Sequence, residues 1–368
     1  MSDNFDQQAA HNPAPSPSGS RQDGQSGGSA VSSSPCSTAR NPPANRANRE
    51  VVLSSLAETS SFMLQGYQML PGPTIFDRRL LRQRQRRARA AGTASFLINR
   101  VAVDLGERLS AVLRNFERAV DLGTPTDALH RVLAANDKIA TLIAAWPDTI
   151  PGDVPDLQVA ADEEALPFAD ASLDLVVSAL ALQFVNDLPG TLIQIRRALK
   201  PDGLLLAAMI GGDSLGELRE AFTAAESEIE GGISPRIAPF ADIRDLGALL
   251  QRAGFALPVV DSDRLTVRYD SPIALMLDLR AMGATNVMTD RRRAPLKRAT
   301  LQRMLEIYAR RFADVDGRLR ATFEIVWLTG WAPHESQQKP LLPGSAARRL
   351  ADVFGTRELS TGEKPGDT

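Results

Sequence analysis

The run Leu173-Asp174-Leu175-Val176-Val177-Ser178 is apolar and β-branched, with no in–out alternation. That pattern predicts a strand buried on both faces, the habit of a parallel sheet. Asn186 and Asp187 then offer an N-cap, and Pro189 sits where a first-turn proline costs nothing. Leu188, Leu192, Ile195 and Leu199 recur at helical spacing, which gives the helix one face to lay on the sheet. Pro201 and Gly203 stop it, and residues 204–209 read as the next buried strand. Parallel strands joined through a helix form a right-handed crossover. Open sheets of such units bind ligands beyond the carboxyl ends of their strands.

The same patterning extends in both directions. Residues 119–123 read as the first strand, 126–135 as a short helix with Asn136 as its C′ residue, 139–145 as the second strand and 157–160 as the third. Beyond Gly212 come a helix through Leu215, Leu218 and Phe222, a loop at 231–239 and a helix at 242–253. Residues 259–269 and 320–331 read as strands of an antiparallel edge, with helices at 272–282 and 297–312 between them. Upstream, Leu97, Val101, Leu105, Leu109 and Leu113 mark an amphipathic helix. Before it, Arg78, Arg79, Arg82, Arg84, Arg86, Arg87 and Arg89 crowd a segment that reads as a solvated helical face, with a surface for an acidic partner as the alternative. The expectation is an α/β protein: a doubly wound, mostly parallel, Rossmann-like sheet with an antiparallel edge and helical N-terminal and lid additions.

Composition divides the chain further. Residues 1–49 are rich in Ser, Pro, Gly, Gln and Asn and are expected to be disordered. Residues 50–74 are a weakly patterned linker or docking segment, 75–341 the folded domain, and 342–368 a mostly disordered tail. A net charge of -2 gives no basic field for nucleic acid. The single cysteine, Cys36, excludes an intramolecular disulfide. The acidic N-terminus MSDNFDQQ lacks the pattern of a signal or transit peptide, and no apolar stretch is long enough to span a membrane, so a cytoplasmic location is expected. Only His11, His130 and His334 are available as imidazole ligands, and His130 reads as a surface residue of a short helix. No metal site is expected from that set, and the same scarcity argues against a Ser-His-Asp hydrolase.

One ordered set of motifs carries a resemblance. Asp162-Glu163, Leu166-Pro167-Phe168, Leu173 through Ser178, and Ala198-Leu199-Lys200-Pro201-Asp202-Gly203 resemble, in order, the central half of class I S-adenosylmethionine (SAM) methyltransferases. Asn186-Asp187-Leu188-Pro189, Gly211-Gly212-Asp213-Ser214-Leu215, Gly231-Gly232-Ile233-Ser234-Pro235 and His334-Glu335-Ser336-Gln337 narrow it. These resemble the family of the mitochondrial complex I assembly factor that hydroxylates an arginine, with bacterial relatives near malonyl-carrier-protein methyltransferases. The resemblance covers residues 75–346 and implies a methyltransferase sheet, SAM as cofactor and a respiratory complex I subunit or other protein as partner.

Carried onto this chain, the resemblance assigns cofactor contacts to Asp121 and Gly123 at the first strand-to-helix turn, to Asp162 and Glu163 after the third strand, and to Ser178. Two departures stand beside it. Thr124-Pro125 replaces the later glycines of the first turn, and Pro125 has no N–H to donate. Trp146 stands where an acid would grip the ribose, with Asp148 slightly beyond. Trp146 reads equally as a lid on the strand ends, and Asp162 equally as a solvated cap. Asn286 and His334 are candidate substrate-facing residues, or simply a helix cap and a strand exit. The implied activity is SAM-dependent methyl transfer to a protein or small-molecule acceptor. Arginine hydroxylation, and a non-catalytic chaperone that has lost the cofactor, are the alternatives.

Overall fold

The computed structural model describes residues 74–147, 157–338 and 355–357. The expectations for 1–49, for 50–73, for Asp148 and for most of 342–368 therefore fall outside the described residues. Strands β1 (Phe116–Leu122), β2 (Ile139–Trp146), β3 (Gln158–Ala160), β4 (Leu173–Ala179) and β5 (Leu199–Ile210) pair in parallel. Strands β6 (Ala256–Tyr269) and β7 (Leu319–Trp331) complete a seven-stranded sheet in the order β3-β2-β1-β4-β5-β7-β6, with β7 antiparallel to both neighbours. The antiparallel edge expected from residues 259–269 and 320–331 is in place.

Eight helices among the described residues surround it: α1 (Arg78–Ala91), α2 (Phe96–Ser110), α3 (Ala128–Ala134), α4 (Leu188–Ala198), α5 (Gly216–Glu230), α6 (Ile243–Arg252), α7 (Pro272–Ala281) and α8 (Arg298–Phe312). Unbroken apolar runs feed both faces of the sheet. In β4, Leu175 and Val177 join the core under α2, α3, α5, α7 and α8, while Val176 joins the core under α4 and α6. Strand β5 repeats the division, with Leu204 and Leu206 on one side and Leu205 and Met209 on the other. Leu192 and Ile195 of α4 are fully buried, and each such side chain contributes about 1.5–3 kcal/mol relative to exposure. Asp187 caps α4 as expected, accepting from Gly190 N at 2.8 Å.

Two local expectations are corrected and a third is met. Helix α2 ends at Ser110, and Leu113 is fully exposed rather than part of its apolar face. Helix α3 has Ala135 as its C-cap and Asn136 as its C′ residue, as expected, with Asn136 N donating to Leu133 O at 3.1 Å. The Asn136 side chain also accepts from Lys138 N at 3.0 Å, turning the chain into β2. His130 is not a surface residue: its ring meets Trp146 edge-to-face at 5.7 Å and its Nδ1 is buried without a partner.

Candidate cofactor cleft

The carboxyl ends of β1, β2, β3 and β4 meet at one edge of the sheet, and the first turn lies at its centre. Asp121 is fully buried at the end of β1, with Oδ1 accepting from the Thr124 hydroxyl and Oδ2 without a partner. Burial pushes its carboxyl up to about 7, against the pull of Thr124 and the nearby Trp146 indole. Ser178 donates to Leu122 O at 2.8 Å, and Thr124 Oγ1 accepts from Ala179 N at 3.3 Å. Those two hydroxyls stitch β4 to the first turn. Gly123 has φ +70°, and a Cβ there would lie 2.6 Å from Glu163 Oε1. The backbone is bare, as a cofactor turn requires, but Glu163 fills the space above it.

Glu163 is held there from the N-terminal side of the chain. Arg78, whose side chain is 13% exposed, pairs with Glu163, with Asp162 at 2.6 Å and with Glu164 at 3.1 Å. Arg82, one turn on, pairs with Asp162. Burial lifts the Glu163 carboxyl above its usual range despite Arg78. Burial acts the same way on Asp162 but is outweighed by the Glu164 N–H and the two guanidiniums, which hold that carboxyl below its usual range. At the far end of α1, Arg89 donates to Pro125 O at 3.2 Å. One helix thus crosses the cleft from the loop after β3 to the turn after β1.

This is the main site feature that sequence reasoning missed. The arginine run was read as a solvated face, yet Arg78, Arg82, Arg84 and Arg89 are partly buried, while Arg79, Arg86 and Arg87 are exposed. Arg78, Arg82 and Arg89 lie at i, i+4 and i+11, a single helical face. Helix α1 is seated by Phe76, edge-on to Phe184 at 5.7 Å, and by Asn186. Asn186 Oδ1 accepts from Ile75 N and Phe76 N at 2.8 and 2.7 Å, and its Nδ2 donates to Phe76 O at 3.2 Å.

Beside the cleft, at the carboxyl ends of β4 and β5, lies an apolar cavity of about 80 Å³. Leu97, Leu180, Phe184, Ile210 and Phe323 contribute to its walls, and Gln183 is among its polar groups. Gln183 is 8% exposed; its Nε2 donates to Leu180 O at 2.7 Å, and its Oε1 has no partner. Gly283, at φ +71°, admits α1 closely, since a Cβ there would lie 2.9 Å from Gln85 Cα.

Other predicted residues are placed differently. Trp146 is 2% exposed and packs inward against the His130 ring rather than lining the open cleft. Asn286 lies beside α1, its carbonyl accepting from Arg84, but its amide is committed to Pro235 O at 2.7 Å. His334 is far from the cleft. Because β7 runs antiparallel, its exit at Trp331 pairs with Leu204 at the amino end of β5, the opposite edge of the sheet. There His334 is exposed, with Nδ1 2.7 Å from Ser336 Oγ. The argument against a hydrolase also passed over a motif: Gly212-Asp213-Ser214-Leu215-Gly216 follows β5. Ser214 is fully buried, accepting from Glu324 N at 2.9 Å and donating to Glu324 O at 3.2 Å. It ties β5 to β7 and is no nucleophile.

Residues 120–207 match the family model of a methyltransferase domain. The arginine-hydroxylase NDUFAF5 of Mus musculus is 40% identical over 298 residues, covering 79% of this chain and 87% of that protein. The Homo sapiens protein of the same name is 39% identical, covering 86% and 91%. The chain belongs to the NDUFAF5 family. The malonyl-[acyl-carrier protein] O-methyltransferase of Gallionella capsiferriformans is 35% identical, covering 70% of this chain and 92% of that protein. The methyltransferase domain and such relatives are those of a SAM-dependent class I methyltransferase, although the NDUFAF5 relatives are named as hydroxylases. Those NDUFAF5 proteins are named as mitochondrial, which overturns the expected cytoplasmic location.

The family implies SAM, and the residues of this cleft do not fit it as they stand. The space above Gly123 is taken by the Glu163 carboxylate in the grip of Arg78. Trp146 is buried where the ribose acid would be. The adjoining cavity of about 80 Å³ is well below the ~300 Å³ of a small ligand pocket.

Proposed function

We propose that this member of the NDUFAF5 family acts on a protein partner in the assembly of respiratory complex I, and that its acceptor is a side chain delivered by that partner. The observation carrying this reading is the cavity beside the cleft. Its size suits one inserted side chain better than a free metabolite. Its walls are largely apolar, and one of its polar lining residues, Gln183, has a buried Oε1 without a hydrogen-bond partner. A buried acceptor left unpaired costs about 1–3 kcal/mol, which a donor arriving on the partner would recover. An arginine, the residue named for the relatives, brings a methylene stem for the walls and N–H groups for Gln183.

Within this reading the chain's own residues bind and orient. The apolar walls exclude water, Gln183 fixes the donor, and α1 roofs the cavity through Gln85. The cofactor contacts assigned to Asp121, Gly123, Asp162 and Ser178 belong to the same proposal and require the space held by Glu163 above Gly123 to be cleared. A chaperone reading draws on the filled space above Gly123.

Mass spectrometry of complex I subunits from cells with and without the protein tests the reading. Loss of a side-chain modification, one oxygen or one methylene in mass, together with incomplete complex I, is expected in its absence. Complete and identically modified complex I without the protein would overturn it.

A further inference from the structure

We infer that helix α1 is a latch on the cofactor cleft: Arg78 and Arg82 occupy the carboxylates of the loop after β3, and an adenosyl ligand enters only by displacing them. The inference rests on the family's cofactor and explains why the cleft does not fit it here. Three carboxylates in a row, Asp162, Glu163 and Glu164, all point at guanidiniums of one helix face. The pairs are not a surface trim, since the Arg78 and Glu163 side chains are 13% and 8% exposed. Buried pairs of this kind strongly resist loss of one partner. Glu163 is also the group whose carboxylate stands 2.6 Å from where a Gly123 Cβ would be. The latch therefore fills space as well as satisfying charge.

The ends of α1 show how it is mounted. Its N-terminal approach is pinned by Asn186 and Phe184, and its C-terminal half touches the first turn through Arg89 and Pro125 O. Between these ends, Arg78 and Arg82 are its ionic links to the loop after β3. Clearing the cleft for an adenosyl ligand therefore means breaking these links.

Titration calorimetry on the full chain tests this with SAM. The double variant Arg78→Met, Arg82→Met is expected to bind SAM at least tenfold more tightly than the unaltered protein. Glu163→Ala, which empties the space above Gly123 while leaving Arg78 paired to Asp162 and Glu164, keeps the test open should the double variant fail to fold. It is expected to show the same gain, and SAM should raise its melting temperature more than that of the unaltered protein. Equal affinity in the unaltered protein and the variants overturns the latch, as does absence of SAM binding in all of them. Either result leaves the complex I reading standing, because that reading is judged by subunit modification.

Discussion

The two halves of the sheet's carboxyl edge differ in what occupies them. At β1 to β3 the place of a cofactor is filled from within, by Glu163 over Gly123 and by Arg78 over Glu163. At β4 and β5 the edge keeps an apolar cavity with one unpartnered acceptor. Both halves rest on the same strands and the same two cores. A cleft closed from within must satisfy the charges that line it. Here three carboxylates are answered by arginines from one helix.

The sharpest way to break this contrast is to remove the filler. Arg78→Ala leaves Glu163 buried without its main partner and is expected to cost ~3–5 kcal/mol in urea unfolding, as breaking a buried pair does. A change below about 1 kcal/mol would show that the pair is ornamental. Next comes Asp121, whose carboxyl burial raises to about 7 from an ordinary value near 3.8. Between those values the folded state holds a proton that the unfolded chain has lost, so stability falls as pH rises from about 4 to 7 and levels off above. Asp121→Asn removes that slope, a relative gain of roughly 2–4 kcal/mol at pH 8 over pH 4. Parallel pH profiles for the two proteins would refute the assignment.

Gly123→Ala should cost about 1–3 kcal/mol, because φ +70° strains any side chain and the new methyl meets Glu163. The same substitution in Glu163→Ala should cost distinctly less, which a cycle of unfolding curves reads directly. On the other half, Gln183→Leu should change stability by less than about 1.5 kcal/mol, since relief of the unpaired Oε1 offsets loss of the Nε2 bond to Leu180 O. It should nonetheless abolish modification of the partner. Retained modification would detach the cavity from the proposed function.

The strands were legible because burial on both faces leaves an unbroken apolar run, and β4 and β5 carry one each. The glycine turn and the acids after β3 were legible through their order along the chain. Arg78 was not, because its partners lie some 85 positions away and a run of arginines carries no local mark of burial. The inward face was encoded only in the spacing of Arg78, Arg82 and Arg89. His334 was misplaced because proximity to a strand end says nothing until the strand's direction is known, and β7 runs the other way. Trp146 turned inward on His130, a pairing between helix and strand that no window of sequence contains.

A double-mutant cycle between Arg78→Met and Glu163→Gln, followed by urea unfolding, tests most directly whether the arginine–glutamate pair holds the cleft closed. The account predicts a coupling of at least ~1.5 kcal/mol, within the range seen for side chains in one buried network. Additive effects, equal within about 0.3 kcal/mol to the sum of the single variants, would contradict it.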